Sequence, residues 1–210
     1  MPLATIEAAI EDYRAGKFVV ILDDEERENE GDLAMPAEAV TPAAINFLAT
    51  HARGLICVAM LPARLDQLRI PLMVPNNARS LSETAFCVSV DARDGVISGT
   101  SAYDRAATVR ALVDPYARPE MFRKPGHVFP LRYREGGVLV RRGHTEASVD
   151  LAIAAGLTPA AVICEVMNTD GTMARLPQLE AFAWEHDLNI ITVAQLLRYR
   201  IRQAPKVCAS

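Results

Sequence analysis

Two stretches of this chain are apolar without a break, Phe18 to Leu22 and Leu55 to Leu61, and a third, Ala161 to Val166, is interrupted only by Glu165. A strand with one wet face alternates polar and apolar residues. A strand that does not alternate is buried on both faces and needs helices above and below it. The chain supplies helical spacing between the runs. Leu3, Ile6, Ile10 and Tyr13 share a helix face that Gly16 stops, and Thr41-Pro42 starts a helix with Ile45 and Leu48 inside. A short helix capped by Ser101 runs through Arg105 and Val109. Another starts at Thr145 with Val149, Ile153 and Leu157 facing inward, and two more cover Leu176 to Trp184 and Gln195 to Ile201. Further strands are read at Phe86 to Val90 (Phe86, Val88 and Val90 inward), His127 to Tyr133, Val138 to Arg141 and Asn189 to Val193, with residues 71–84 as a long loop. The pattern predicts an α/β (α+β) fold: a single layered α-β-α domain, residues 1–210, with a mixed β-sheet.

Charge is divided sharply along the chain. The net charge is −4, which lacks the basic footprint of a general nucleic-acid binder. Residues 23–32 hold seven carboxylates and one arginine, whereas residues 118–142 hold seven Arg and Lys against two Glu. One acidic and one basic stretch suggest a cation site and an anion site. Of the cysteines, Cys57, Cys87 and Cys164 sit in apolar runs and Cys208 near the end, without the spacing of a zinc site or a disulfide framework. Reduced buried thiols fit the cytoplasm. The N-terminal segment carries acids where a secretory signal needs basic residues, and no apolar run approaches the roughly 20 residues that span a bilayer, so no membrane partner is expected.

Four places offer chemistry. The acidic segment follows a buried strand directly, where α/β sheets place ligands. Its Glu28, Glu30 and Asp32 fall on one side if it is extended, with Gly31 at a tight turn and Arg27 among the acids. It reads either as a solvated turn or as a cation-binding loop. The second place is Arg141-Arg142-Gly143-His144-Thr145, where a strand turns into a helix N-terminus. Free amides, two guanidinium groups and the Thr145 hydroxyl make a phosphate cradle there, with Gly143 giving close approach and His144 a second ligand for a metal held by the acidic loop. A capped helix with two surface arginines is the plainer alternative. The third is His127, entering a strand after Pro-Gly, as an acid/base group or a surface side chain. The fourth is Glu165, a carboxylate in an apolar strand, read equally as a base of raised pKa or as half of a buried ion pair with an arginine. The loop Ser98 to Arg105 is a substrate loop or an ordinary capped helix start. His51 has no evident partner, His186 reads as surface, and Cys57 as packing, with no base in sight.

Taken together, DDEERENEGD at 23–32, GHVFPLR at 126–132, RRGHTEASVDLA at 141–152 and VICEVMNTDGTMARLP at 162–177 resemble the 3,4-dihydroxy-2-butanone 4-phosphate synthase family, from about Phe18 to Arg200. The resemblance implies a lyase that converts D-ribulose 5-phosphate into 3,4-dihydroxy-2-butanone 4-phosphate and formate, supplying the four-carbon unit of riboflavin. It implies Mg²⁺, with Mn²⁺ as a substitute, and a homodimer with sites at the subunit interface. By position, Glu28 and His144 would hold the metal. Arg27, Glu28, Asp32, Arg141, Arg142, Gly143, His144, Thr145 and Glu165 would bind substrate, and His127, Glu165 and Asp32 would be catalytic. The chain ends at Ser210, so no fused GTP cyclohydrolase II domain is expected. Glu26 stands where Asp is commoner and Ile97-Ser98 where two threonines are frequent; Tyr103 and Lys124 also depart from the usual pattern. Two other functions share these features: a different metal-dependent phosphosugar isomerase or aldolase, and a non-catalytic phosphometabolite-binding domain.

Overall fold

The computed structural model describes residues 3–74 and 83–203. Most of the loop read at 71–84, and Cys208, lie outside the described residues. A seven-stranded mixed sheet forms the middle layer, in the order β4-β5-β3-β6-β2-β1-β7. Its strands are β1 (Val19–Leu22), β2 (Gly31–Pro36), β3 (Cys57–Met60), β4 (Val90–Ala92), β5 (Phe122–Arg132), β6 (Ala160–Glu165) and β7 (Asn189–Thr192). β1 runs parallel to β7 and β3 parallel to β5, while the other pairs are antiparallel.

The unbroken apolar runs are the central strands, and their alternate residues enter two different cores. Val20, Leu22, Leu33, Met35, Val58, Val162 and Cys164 pack on one side with Ile45, Leu65, Val109 and Leu179. These come from α2 (Pro42–Phe47), α3 (Pro62–Gln67), α4 (Ala102–Val113) and α6 (Leu176–Glu185). Val19, Ile21, Ala34, Cys57, Ala161 and Ile163 pack on the other side with Ile10, Tyr13, Ala147, Leu151 and Leu196. Those belong to α1 (Ile6–Arg14), α5 (His144–Ala155) and α7 (Val193–Gln203). The fold is therefore the expected α-β-α sandwich. Thr5, Thr41 and Ser101 cap α1, α2 and α4, each hydroxyl accepting an amide hydrogen bond from the first turn.

Several local readings are corrected. Gly31 and Asp32, read as the end of the acidic segment, open strand β2, which runs on through residues 33–36, where no element was expected. Gly31 opens that strand rather than turning the chain, and a Cβ there would meet Leu179 Cδ1 at 2.5 Å. The left-handed residue of the loop is Asn29, at φ 55°. Val138 to Arg141 is not a strand. Gly136 and Gly137 both take positive φ, residues 137–139 make a single 3₁₀ turn, and the Val138 amide donates to the buried Asp150 carboxylate. In the 86–90 segment the phase is reversed at first, with Cys87 and Ser89 buried and Phe86 and Val88 only partly so. Helix α5 is buried from His144 through Ala152, but Ile153 is 44% exposed.

Candidate active site

β1 and β6 both end, and β2 begins, at one end of the sheet, where α5 also starts. That end holds a pocket lined by Arg27, Glu28, Asp32, Cys57, Arg141, His144, Thr145 and Glu165, with Leu55, Thr84, Phe86, Leu131 and Ile163 as further walls. The acidic and basic stretches, far apart in sequence, thus meet in one cavity.

The loop between β1 and β2 is built around Asp23. Its carboxylate accepts the amides of Glu28 (3.3 Å) and Glu30 (2.9 Å) and pairs with Arg27 at 2.6 Å. Arg27 also reaches the Glu28 carboxylate at 2.6 Å. On the far side of the loop Arg175 donates to the carbonyls of Glu28 and Asn29. The loop is therefore folded back on itself, and Glu28, Glu30 and Asp32 do not form the flat extended row that spacing suggested.

His144 is the first residue of α5 and is nearly buried. Its Nε2 lies 3.2 Å from the Glu30 carbonyl, which can only accept, so Nε2 carries a proton. Its Nδ1 faces Asp32 Oδ1 at 3.5 Å and Glu28 Oε2 at 3.8 Å. Ligand atoms of Asp23, Glu28 and His144 all lie within 4.8 Å of one another. Asp23 is committed to two of the loop's own amides as well as Arg27, whereas the Glu28 carboxylate is shared with Arg27 alone and is the more exposed, so Glu28 and His144 are the pair better placed to hold a cation. Asp32 Oδ1 is buried without a hydrogen-bond partner. Burial pushes the Asp32 carboxyl up to about 6, with His144 opposing and the Glu28, Asp23 and Glu30 carboxylates adding to the rise. An imidazole tied back by a carbonyl, a carboxylate beside it and an orphaned carboxylate oxygen make a donor set that a hard divalent cation fits.

Glu165 ends β6, opposite Asp32 in the β2–β6 register, and opens to the pocket instead of lying inside the apolar strand. Among the described residues it has no ion pair with an arginine, which corrects the buried-pair reading. Burial and then the neighbouring Asp32 carboxylate raise its pKa. Cys57, read as packing with no base nearby, lines the same pocket, and burial with the charges of Asp32 and Glu165 pushes its thiol far up.

The basic segment divides. Arg141 is buried and pairs with Glu146 at 2.5 Å while reaching Thr84 Oγ1 at 2.9 Å. Gly143 caps α5, and the space its missing side chain leaves is filled by the Arg141 guanidinium, 2.2 Å from an ideal Cβ, so the glycine serves the arginine. Thr145 lies on the pocket wall, but Arg142 is exposed and does not line it.

His127 does not line this pocket either. It sits on β5 with a half-exposed ring whose Nδ1 is 2.8 Å from Asp91 Oδ2, and its backbone amide donates to Asp91 Oδ1 at 2.9 Å. A register shift between Val90 and Asp91 places that carboxylate under the ring. Asp91 was missed because its polar position in an alternating strand reads as solvent-facing. The signal for it was an aspartate at the inner end of an otherwise apolar segment.

A family model for 3,4-dihydroxy-2-butanone 4-phosphate synthase matches residues 7–199. This chain belongs to that family. A 3,4-dihydroxy-2-butanone 4-phosphate synthase of Agrobacterium fabrum is 56% identical over 199 residues, covering 95% of this chain and 93% of that protein. The riboflavin biosynthesis protein RibBA of Aquifex aeolicus is 57% identical over 201 residues, and the match takes in 95% of this chain but 49% of the relative, so the chain spans about half of that longer protein. Among solved structures, a 3,4-dihydroxy-2-butanone 4-phosphate synthase in complex with two magnesium ions superposes with a TM-score of 0.89 at 42% identity, over 95% of this chain and 98% of the other. The two-domain synthase RibBX of A. baumannii gives a TM-score of 0.92 at 48% identity, covering 96% of this chain and 59% of that one. The sheet order and the two helical layers are thus those of the synthase family. No helix among the described residues is long and apolar enough to cross a membrane.

Proposed function

We propose that this chain is a lyase that converts D-ribulose 5-phosphate into 3,4-dihydroxy-2-butanone 4-phosphate and formate for riboflavin synthesis. The observation that carries the reading is the meeting of Glu28 and His144, with Asp32 and Glu165 beside them, in a pocket of a chain that belongs to the synthase family. Glu28 and His144 hold a divalent cation, Mg²⁺ by preference for oxygen donors, with Mn²⁺ admitted by the imidazole. When bound, the cation polarises substrate oxygens and acidifies the neighbouring C–H bond.

The chain's own groups supply the rest. Arg27 and Thr145, with Arg141 behind them and the amides of the α5 N-terminus, favour the phosphoryl end of the substrate. Arg142 is left out of this set by its exposed position, and Gly143 takes part through its packing on Arg141. The reaction needs several proton transfers, beginning at C3 of the ketose. Asp32 and Glu165 are neighbours whose carboxyls are both raised by burial, which suits groups that take and return protons. The Cys57 thiol, held protonated by burial and by their charges, lines the same pocket.

His127 is the third acid/base group. Asp91 holds its Nδ1, so Nε2 points outward. Its place outside the pocket of its own chain supports a homodimer in which it serves the site of the second copy. The three free thiols among the described residues support the cytoplasm as the compartment. Incubation with ribulose 5-phosphate, with and without Mg²⁺, followed by a formate assay tests the reading. Formate released only with the metal is the expected result. Isomerised or cleaved sugar phosphate without formate would assign the pocket to another phosphosugar enzyme.

A further inference from the structure

The segment Ile97 to Asp104 is not used by the pocket, yet it is held in place by one side chain. Asp104, in the first turn of α4, is 5% exposed. Its carboxylate accepts three successive amides, from Ile97 at 3.3 Å, Ser98 at 3.2 Å and Gly99 at 2.9 Å, and the Ser98 hydroxyl at 3.4 Å. Burial raises this carboxyl, but the donors from Gly99, Ile97 and Ser98 outweigh it and hold its pKa below the usual range. The group is an anion at neutral pH, wrapped by the loop.

What the loop presses against is the Asp91–His127 pair. Gly99 has φ +90°, and a Cβ on it would stand 2.3 Å from Asp91 Oδ2 and 2.4 Å from His127 Nδ1. The backbone at Gly99 therefore lies against the hydrogen bond that orients the imidazole. The same helix turn grips β4 as well. The Asp104 carbonyl accepts from Thr108 Oγ1 at 3.0 Å, and that hydroxyl accepts the Ala92 amide, next to Asp91, at 3.0 Å. The Asp104 carboxylate thus holds the loop that lies on the pair, while the backbone of the same turn, through Thr108, anchors the strand that carries Asp91.

We propose that Asp104 is a positioning residue for His127, its carboxylate acting through the Gly99 backbone to fix the Asp91–His127 hydrogen bond. A carboxylate capping its own helix needs one or two amides. Here it gathers a run of three from a loop that ends on the imidazole. The proposal rests on the reading of His127 as an acid/base group, and the test separates the two.

Asp104→Asn keeps the shape but loses the charge and one acceptor. It is expected to lower kcat about tenfold or more, because a small displacement of a catalytic group is costly. KM for ribulose 5-phosphate and the Mg²⁺ affinity measured by titration should stay within about threefold. Gly99→Ala, with Asp104 intact, should show the same split, since its Cβ enters the same hydrogen bond. In a His127→Gln background, Asp104→Asn should cost nothing further in kcat, because the group it positions is gone. Multiplying losses in that background, or a lowered melting temperature with kcat unchanged, overturns the positioning role. If His127→Gln alone keeps full kcat, the reading of His127 fails instead.

Discussion

His144 Nδ1 stands 3.8 Å from Glu28 Oε2, while the other nitrogen of the ring rests on the carbonyl of Glu30. One short loop thus supplies both the carboxylate proposed as a metal ligand and the group that turns the imidazole toward it. Loop and helix α5 are mutually dependent, and Arg175, Arg27 and Asp23 keep the loop in the conformation the pair requires.

Removing the charge at Glu28 tests that relationship directly. Glu28→Gln keeps the side-chain volume and the amide held by Asp23. Mg²⁺ affinity by calorimetric titration should fall by at least about 10–100-fold, the loss typical of a disturbed metal shell. Formate release should fall with it, and the circular dichroism spectrum should not change. Chelation of the wild type should likewise stop turnover and leave the fold standing. Full metal affinity in the variant would remove Glu28 from the ligand set.

In the proposed mechanism His127 is an acid/base group and Asp91 the carboxylate that orients it, so their variants should differ in degree and agree in kind. His127→Ala is expected to lower kcat about 10²–10⁴-fold with KM within a few-fold. Asp91→Asn retains the ring but weakens its hold, and should cost less, again in kcat. A change confined to KM would make His127 a substrate contact.

The thiols give a pH-dependent check on burial. Burial pushes Cys87 up to about 11 and Cys164 up to about 12, against about 8.5 for a free thiol. The thiolate is the reactive form. Raising pH from about 8 to about 9.5 carries an unfolded thiol through its pKa, so its alkylation should rise only about fourfold and level off. The folded thiols stay almost wholly protonated and slow throughout, their rate still climbing about tenfold per pH unit. At pH 8, labelling of Cys87 and Cys164 by iodoacetamide should be at least about a hundredfold slower in the native protein than in guanidinium. A Cys208→Ser variant keeps the comparison to the described cysteines. Native labelling at the unfolded rate would contradict the buried placement.

The sandwich was legible because the unbroken apolar runs leave a sheet few alternatives, and the capping Thr and Ser residues mark helix starts locally. β2 was hidden because Gly31 and Asp32 extend the acidic segment, across which the strand folds back on β1, while its other antiparallel partner, β6, lies far along the chain. The turn after Gly136 was misread because Val138-Leu139-Val140 looks like a strand until Asp150 takes its amide. In the site, residue type picked out Glu28, Asp32, His144, Thr145 and Glu165, all of which line the pocket. It could not show that Arg141 turns inward to Glu146 while Arg142 turns out, nor that Asp91 underlies His127. Those depend on which side a chain leaves a turn and on a register shift, and neither is written in composition or spacing.

The last prediction concerns the ion pair beneath the pocket. Arg141 and Glu146 are both buried and lie 2.5 Å apart, and Glu146 also accepts the Arg134 amide at 3.1 Å. Burial raises the Glu146 carboxyl even with the arginine present to oppose it. Arg141→Ala leaves that charge in the interior without its guanidinium, a change that typically costs about 3–5 kcal/mol. For a chain of this size the melting temperature should drop by roughly 6–20 °C. The sign of the pH dependence follows from the raised pKa. The folded state holds the Glu146 proton more tightly than the unfolded state, so the variant's deficit is smallest below about pH 4 and grows as pH rises through the folded pKa. Adding Glu146→Gln removes the charge and should recover part of the loss at pH 7 but little at pH 4. Thermal melts of the single and double variants at both values check this. A deficit independent of pH would mean that Arg141 stabilises the fold by packing and not by neutralising Glu146.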